Sequence, residues 1–413
     1  MKNFKILLLI FPLLFLAGCF DKQEPEQQAY VMAVGLDAME EKGKLRVTFQ
    51  IGNPEATSLM GTGGNEPPYE TVTLTANDFM SAKNTANSFV ARRITLDHVK
   101  VLIVSEELAR SDDFIRVIQS ILRSKELRRN VQLVVSKEPA SEFINNNKPK
   151  LETRPHKFFQ FIINRARETG IIPYSDLHRF LQITEGDADL FLAIYATSDP
   201  ENQINDGLED EFLAGEIPQE GGNQTQFMGS AVFKEGIMID KINGELTRLS
   251  MWLDNTFRVE DFMVTYPDPN QQDFRITARV IKPDRTKVDV KYRPKGTAVI
   301  RAEIPMDVEI LAVPSMTDYS SDRKKQKKLK EHIETNLEKT AAAFIEKTQK
   351  EYKGEPFYWS LYVRKHFKTI SEYEKADWMN NIYPNADVKV EFTINSLTFG
   401  KTVKESNLNE IRD

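Results

Sequence analysis

The stretch Val99-Lys100-Val101-Leu102-Ile103-Val104 is apolar at every position except Lys100. A run of this kind is typical of a strand in the middle of a sheet, where both faces are covered. Residues 77–92 before it carry apolar side chains at helical spacing, and so do residues 114–122 after it. A second apolar run at residues 131–135 predicts the next strand. Together these elements predict a sheet with helices packed on it.

Two more strands are expected upstream, over residues 30–37 and 44–52. In the second of them Val47, Phe49 and Ile51 alternate with polar residues, and this period of two indicates a half-buried strand. The first module therefore has the predicted order ββαβαβ.

The chain after this module changes character twice. Residues 139–184 are predicted to be helical, with Ser175-Asp176 capping the last helix, and a strand follows at residues 190–196. Strands of the C-terminal half are predicted at residues 225–234, 274–281, 287–292, 297–313 and 387–399.

The short connections between several C-terminal strands indicate antiparallel pairing. A long helix is expected to begin near Ser321-Asp322 and to end near residue 350, before Gly354 and Pro356. The predicted fold class is therefore α+β, with several domains in which mixed and antiparallel sheets are each packed with helices.

An acidic segment separates the two halves. Residues 199–220 contain eight acidic side chains and no basic ones. Such composition is typical of a solvated connection. We expect an N-terminal α+β region at 30–197 with subdomains 30–137 and 138–197, an acidic linker at 198–225, and a C-terminal α+β domain at 226–413 with an antiparallel sheet and the long helix.

Cys19 is the single cysteine of the 413-residue chain. It follows Leu16-Ala17-Gly18 and an apolar stretch that begins after Lys2 and Lys5, an arrangement typical of a secretory signal. The apolar stretch is too short to span about 30 Å of hydrocarbon. The site resembles a lipobox, whose cysteine receives a diacylglyceryl group. We therefore expect a lipoprotein signal peptide at 1–18 and a tether at 19–29.

Two other interpretations of this N-terminus remain open, an ordinary signal peptide with an incidental cysteine and a short membrane anchor. The acylated form has the stronger physical rationale, because one acyl chain binds a bilayer marginally whereas two bind it stably. No later segment approaches the roughly 20 apolar residues of a spanning helix.

The precursor has a formal net charge of −6, and removal of Lys2 and Lys5 with the signal brings the mature chain to −8. A mildly acidic protein is not expected to bind nucleic acid or anionic lipid. With Cys19 lipidated no thiol is left for a disulfide, so stability must come from hydrophobic cores.

The residues that could support catalysis or metal binding do not form a known pattern. The histidines, at positions 98, 156, 178, 332 and 366, are scattered, and no HExxH or Gly-x-Ser-x-Gly motif is present. We therefore predict no catalytic, metal or cofactor residues. Asp97-His98 is better explained as a turn before the strand at residue 99.

Three other patterns have structural explanations that we favour. The loop Gly61-Thr62-Gly63-Gly64 lacks the lysine and the helix of a phosphate-binding loop. The basic run at residues 323–330 could bind anionic head groups, but a solvated helix face explains it better. Phe158, Phe159 and Phe161 are expected in the local core rather than at a partner surface.

The order of these features resembles the Ger(x)C family, the lipoprotein C subunits of spore nutrient germinant receptors. The chain has Cys19-Phe20-Asp21, Val31-Met32-Ala33-Val34-Gly35-Leu36-Asp37 and Val47-Thr48-Phe49-Gln50 in the family's order. The most recognisable segment covers residues 93–109, from Arg93-Ile94-Thr95-Leu96-Asp97-His98 to Glu106-Glu107-Leu108-Ala109, and Gly229-Ser230-Ala231-Val232-Phe233-Lys234 opens the second half. Trp378 then lies shortly before Pro384 and the final strand.

Two positions depart from the family pattern. Phe20 stands where tryptophan commonly follows the cysteine, and the segment after the long helix, at 350–354, matches poorly. The resemblance implies a non-enzymatic, lipid-anchored subunit in three α+β domains, at the outer face of the spore inner membrane. It also implies two integral membrane partner subunits and no cofactor. Cys19 is the one functional position it transfers.

Two other functional classes stay open. A solute-binding lipoprotein of a transporter would need two doubly wound lobes around a cleft, and the antiparallel stretches after residue 270 disfavour it. A lipid-anchored cell-wall hydrolase would need a carboxylate pair, for which the 61 acidic residues offer many combinations.

Overall fold

The computed structural model describes residues 24–53, 67–186, 189–200, 208–259, 261–293 and 296–401. Nine strands form one mixed sheet. They are β1 (Gln28–Ala38), β2 (Leu45–Gly52), β3 (Tyr69–Ala76), β4 (Arg93–Thr95), β5 (Val101–Ser105), β6 (Gln132–Ser136), β7 (Phe191–Thr197), β8 (Gln226–Lys234) and β9 (Ile237–Ile242). Their order is β3-β2-β1-β5-β6-β7-β8-β9, and β4 pairs with the beginning of β1.

Helices cover both faces of this sheet. They are α1 (Phe79–Ala86), α2 (Glu106–Ala109), α3 (Phe114–Ile121), α4 (Ala140–Asn146), α5 (Pro155–Glu168), α6 (Leu177–Thr184) and α7 (Gly244–Leu253). One core contains side chains of α1, α3 and α6, and a second core on the other face contains those of α4 and α5. The predicted fold class, α+β with mixed and antiparallel sheets packed with helices, is confirmed.

The apolar run at residues 99–104 leads into β5, which lies between β1 and β6 and is parallel to both. All five residues of β5 are buried, as the run predicted. The helix expected at 77–92 ends earlier, at Ala86, and the side chain of the next residue, Asn87, accepts the N–H of Ile94 in β4, after the following loop (2.8 Å). Asp113 precedes α3, and its side chain makes no capping bond.

Strand β3 was not expected from the sequence. Its residues alternate between polar and apolar, and only Val72 is buried, because β3 lies at the edge of the sheet with β2 as its single neighbour. A strand exposed along most of its length gives a weaker hydrophobic pattern than a central strand such as β5.

Gly35 and Asp37, in the part of β1 that resembles the family sequence, position helix α4. A Cβ atom at Gly35 would lie 2.9 Å from Ile144 Cδ1, so glycine is needed for the close approach of α4. The Asp37 carboxylate accepts the N–H groups of Ala140 (2.5 Å) and Ser141 (3.1 Å). Since Pro139 offers no side-chain cap, Asp37 caps α4 from another element.

The C-terminal sheet has five strands. They are β10 (Phe262–Pro267), β11 (Arg275–Ile281), β12 (Lys287–Lys291), β13 (Val299–Ala312) and β14 (Asp387–Thr398). β11 pairs with β10 and β13 antiparallel, β12 pairs with β13 antiparallel, and β14 is parallel to β13. The short connections therefore do give antiparallel pairs, as expected, and the long return to β14 gives a parallel one.

The long helix α8 (Arg323–Lys347) packs on this sheet. Its buried stripe is Leu329, Ile333, Leu337, Ala341, Phe344 and Ile345. Asp322 caps the first turn by accepting the N–H groups of Lys324 and Lys325, as the sequence predicted. The helix continues into a wider π turn, Thr348–Tyr352, and two short helices follow, α9 (Ser360–Val363) and α10 (Ile370–Ala376).

The two halves of the chain share the first sheet. β8 pairs antiparallel with β7 across the acidic segment, although β8 had been assigned to the C-terminal unit. The described part of that segment is packed around residues 210–215 and exposed at residues 218–222. Phe212 and Ala214 are buried, and Asp210 forms a buried ion pair with Arg248 of α7. The division of the chain into domains at 198–225 stays a prediction.

We expect Asp37→Ala to lower the free energy of unfolding by about 2–3 kcal/mol, because two buried N–H groups of α4 would lose their acceptor. Asp78→Ala is the matched control, since Asp78 caps α1 near the surface through Met80 and Ser81. The control should lose about 1 kcal/mol. Denaturant unfolding measures both, and equal losses would contradict the special role of Asp37.

Candidate functional site

The chain enters the nine-stranded sheet (the large sheet) through a short 3-10 turn, Pro25–Gln27, directly before β1. The Tyr30 hydroxyl donates to the carbonyl oxygen of Pro25 (3.3 Å). The Tyr30 ring meets the His98 ring edge-on, with centroids 4.9 Å apart. These contacts hold the first described residues against the loop between β4 and β5. Cys19, the predicted lipidation site, lies outside the described residues.

The loop at this end of the sheet contains the Asp97-His98 pair. β4 runs parallel to the start of β1, with Arg93 opposite Gln28. The Asp97 carboxylate accepts the hydroxyl of Thr95 (3.0 Å), and the chain turns at this point before entering β5. Asp97 and His98 therefore shape a turn, the explanation that the sequence favoured, and His98 also packs on Tyr30.

The histidines lie on five different elements. His332 makes a local hydrogen bond with the Asn336 side chain, and His366 bonds to the carbonyl of Val290 in β12. Burial, followed by the nearby charges of Arg154 and Lys157, lowers the pKa of His156. Across the described ranges, no group of three or more His, Cys, Asp or Glu side chains could hold a metal ion.

The glycine-rich loop, the phenylalanines and the basic run considered in the sequence differ in where the structure places them. The loop Gly61-Thr62-Gly63-Gly64 lies outside the described residues. Phe158 and Phe159 are buried, as expected, whereas Phe161 is 51% exposed because it points away from the core of α5. In the basic run of α8, Lys328 Nζ donates to the Pro269 carbonyl (2.9 Å) and to the Asn270 side chain (2.7 Å).

A junction between the two sheets was not predicted. Lys234, the last residue of β8, donates from Nζ to the carbonyl oxygen of Tyr352 (2.9 Å) at the end of the α8 extension. The Tyr352 hydroxyl donates in turn to Asp240 of β9 (2.5 Å), which also pairs with Lys347 (2.8 Å). A cation beside the last carbonyls of a helix is favourable. Lys234, the last residue of the family-like segment in β8, therefore links the nine-stranded sheet to the end of α8.

Two buried carboxyl groups lie at the same junction. Glu355 accepts the N–H groups of Phe357 (2.5 Å) and Ser360 (3.2 Å), and its own carbonyl accepts the N–H of Leu190 (3.0 Å). Asp189 accepts the Ser360 hydroxyl (2.9 Å). Burial raises the pKa of Asp189 to about 6, and burial followed by the charge of Asp189 raises the pKa of Glu355 well above its usual range.

Sequence reasoning missed this pair because nothing local marks a buried carboxylate. The available signal for this close packing was Gly354-Glu355-Pro356, a sequence that by itself indicates only the end of a helix. A Cβ atom at Gly354 would lie 2.9 Å from Met379 and 3.1 Å from Leu190, so the glycine marks a close approach. The Glu355 carbonyl and the Asp189 carboxylate hold the segment after α8 to the start of β7, and the bonds of the Glu355 carboxylate to backbone N–H groups are structural.

No helix within the described residues has the length and apolar character needed to cross a membrane.

Comparison with known proteins gives two successive family matches. Residues 21–197 match the model described as spore germination protein N-terminal domain. Residues 228–400 match the model described as spore germination B3/GerAC like, C-terminal. The chain belongs to the Ger(x)C family. This membership, expected from the order of the motifs, gives the protein a role in spore germination.

Relatives within this family are divergent, and one of those found aligns over nearly the full length of the chain. Spore germination protein B3 of Bacillus subtilis (strain 168) is 20% identical over 403 residues, which cover 97% of this chain and 99% of the relative. Spore germination protein KC of the same organism is 29% identical over 140 residues, 33% of this chain and 34% of that protein.

A solved Ger(x)C structure has the same fold. The crystal structure of the GerBC protein aligns with a TM-score of 0.52 at 16% identity. The alignment covers 88% of this chain and 98% of the GerBC chain.

The carboxyl pair predicts a pH dependence of stability. An unfolded aspartate titrates near pH 3.9, so between about pH 4 and 6 folded Asp189 keeps a proton that the unfolded chain has released. The contribution of Asp189 to the free energy of unfolding therefore falls as pH rises through this window, by up to about 1.4 kcal/mol per pH unit. We expect Asp189→Asn to remove this contribution and to leave that of Glu355, because the amide oxygen still accepts from Ser360 and burial still raises the pKa of Glu355.

Denaturant unfolding of wild type and Asp189→Asn across this pH range measures the effect. Asp112→Asn, at an exposed carboxyl, is the matched control and should follow wild type. Parallel curves for wild type and Asp189→Asn would contradict the assigned pKa of Asp189.

Proposed function

We propose that this protein is a lipid-anchored, non-enzymatic subunit of a nutrient germinant receptor complex. In this proposal a diacylglyceryl group on Cys19 holds it at the outer face of the spore inner membrane, where it docks to two integral membrane subunits. Support comes from its family, whose members carry the name of spore germination proteins, and from the lipobox-like sequence before Cys19.

The observation that carries the proposal is the way the chain enters the sheet. Five residue steps separate Cys19 from Glu24, the first described residue, and an extended chain of that length reaches at most about 18 Å. The Tyr30 contacts then hold the chain rigidly at the start of β1. A lipid on Cys19 would therefore keep one particular end of the large sheet close to the bilayer.

Anchoring of this kind would favour docking by raising the local concentration of the protein near its membrane partners, without any catalytic step. Two acyl chains confine the protein to the membrane plane, where the effective concentration toward membrane partners is high. Of the carboxyl pair that the fold brings together, Glu355 is bound to backbone N–H groups inside the junction and Asp189 to the Ser360 hydroxyl. This arrangement is suited to holding the two sheets together and gives the hydrolase alternative no support.

The alternative function, a solute-binding lipoprotein of a transporter, requires two doubly wound lobes around a cleft. The C-terminal sheet is antiparallel in three of its four pairings. Such a sheet does not provide the second lobe.

The decisive variant is Cys19→Ala, because no other residue of the chain can form the thioether. We expect spores that carry this variant in place of wild type to lose most of their response to the cognate nutrient. Gly18→Ala is the matched control, since it keeps a small residue before the cysteine, and it should germinate normally. The measurement is the loss of spore optical density after nutrient addition, in a strain without paralogous receptors.

Mass spectrometry of the N-terminal peptide from the same spores is the accompanying measurement. We expect a diacylglyceryl adduct on Cys19 in wild type and in Gly18→Ala. An unmodified cysteine in wild type, or a normal nutrient response with Cys19→Ala, would contradict the proposal.

A further inference from the structure

Charge is distributed unevenly between the two ends of the nine-stranded sheet. Residues 92–100 and 123–130 together contain seven basic side chains and two acidic ones. Both segments lie where parallel strands begin: the first contains β4 and leads into β5, and the second leads into β6. β1, their parallel neighbour, begins at the same end.

Backbone and side-chain bonds hold the two segments together at this end. The Lys100 N–H donates to the Met32 carbonyl (2.8 Å), and the Lys100 carbonyl accepts the N–H of Gln132 (3.0 Å). The Glu126 carboxylate accepts the N–H of Leu96 (3.0 Å) and pairs with Lys83 (2.6 Å). The one acidic residue of segment 123–130 is therefore neutralised within the fold.

We name this surface the basic edge and define it by six residues. Five of them have exposed side chains and Lys100 is half-buried. The six are Arg93, Lys100, Arg123, Lys125, Arg128 and Arg129.

The opposite end of the same strands is acidic. Residues 37–44, the end of β1 and the turn after it, and residues 105–113, the last residue of β5 and the segment after it, contain seven acidic side chains and three basic ones. The net charge of −6 is a sum over the whole chain and describes neither end of the sheet. Screening limits the interaction of exposed charges to about 8 Å at physiological salt, so an approaching surface responds to the nearer end rather than to the sum.

Helix electrostatics explain only part of the basic edge. α1 and α3 both end at this side of the sheet, and cations near a helix C-terminus are stabilised by the macrodipole. This accounts for Arg123, two residues after α3. It does not account for Arg93, Arg128 and Arg129, which lie beyond the last helical turns. Glu24 and Glu26 of the tether reduce the positive charge at this end without cancelling it.

We propose that the basic edge rests on anionic phospholipid head groups, so that the large sheet stands on the membrane by this end. Lipid is the occupant that the geometry favours, because the chain toward Cys19 leaves the body at the same end, beside Arg93 and His98. The orientation depends on the anchor of the proposed function, but the affinity of the edge for anionic lipid does not. This interaction was not expected from the net charge of the chain.

The test uses the mature chain, residues 19–413, with Cys19→Ala, so that no acyl group contributes. Binding is measured by co-sedimentation with vesicles of equal parts phosphatidylglycerol and phosphatidylcholine, and with vesicles of phosphatidylcholine alone. We expect binding to the anionic vesicles that weakens as salt is raised, and no binding to the neutral ones. Lack of binding to anionic vesicles at low salt would overturn the proposal.

Variants then locate the surface. Arg128→Glu with Arg129→Glu should weaken binding at least tenfold, since each basic residue near an anionic surface contributes roughly fivefold. Lys42→Glu with Lys44→Glu, in the turn at the other end of β1, changes the net charge equally and should bind within about twofold of the parent. Equal weakening by both pairs would overturn the proposal, because net charge alone would then explain binding.

A second pair, Arg123→Glu with Lys125→Glu, repeats the test if the first pair does not give a folded protein by circular dichroism. A further result would favour an acidic protein partner and overturn the lipid proposal: unchanged vesicle binding by both edge pairs, with loss of co-purifying membrane proteins from spores. The lipid-modified state of Cys19 is measured separately by mass spectrometry, so failure of the anchor and failure of the basic edge give different results.

Discussion

Pairing of β1 along both of its edges fixes the point at which the chain leaves the large sheet toward Cys19. β2 pairs with β1 on one side, and β4 and β5 pair with it on the other. A strand held in this way cannot reorient without breaking the sheet. Because β4, β5 and β6 are parallel to β1, the loops that precede them gather at the same end. The direction of these strands therefore determines which surface an anchored molecule would present to the membrane.

The sequence could predict the elements that are buried continuously. β5 is covered on both faces and leaves an uninterrupted apolar run, and α8 leaves a stripe at helical spacing beside the Asp322 cap. The edge strand β3 leaves neither signal. Gly35 and Asp37 were recognised only as part of a motif. The structure gives the physical reason for both, since α4 packs against the glycine and takes its cap from the aspartate.

The junction and the charge distribution could not be predicted, because they depend on residues far apart in the chain. Lys234 meets Tyr352 and Asp189 meets Glu355 only after the two sheets have packed. Asp210 lies in an acidic segment that was expected to be solvated. Its ion-pair partner, Arg248, lies in a helix that begins beyond β9. The net charge follows from the sequence, but a sum carries no information about which end of a sheet each charge occupies.

The central claim is that the basic end of the sheet faces the bilayer, and label quenching tests it most directly. If Cys19 carries lipid, a cysteine introduced elsewhere is the only free thiol of the chain. A fluorophore would be attached at Asn130→Cys, beside Arg129, or at Lys42→Cys, at the opposite end of β1, in the lipidated protein on vesicles with a head-group quencher. The account predicts strong quenching at position 130 and little at position 42. Equal quenching, or stronger quenching at position 42, would contradict it.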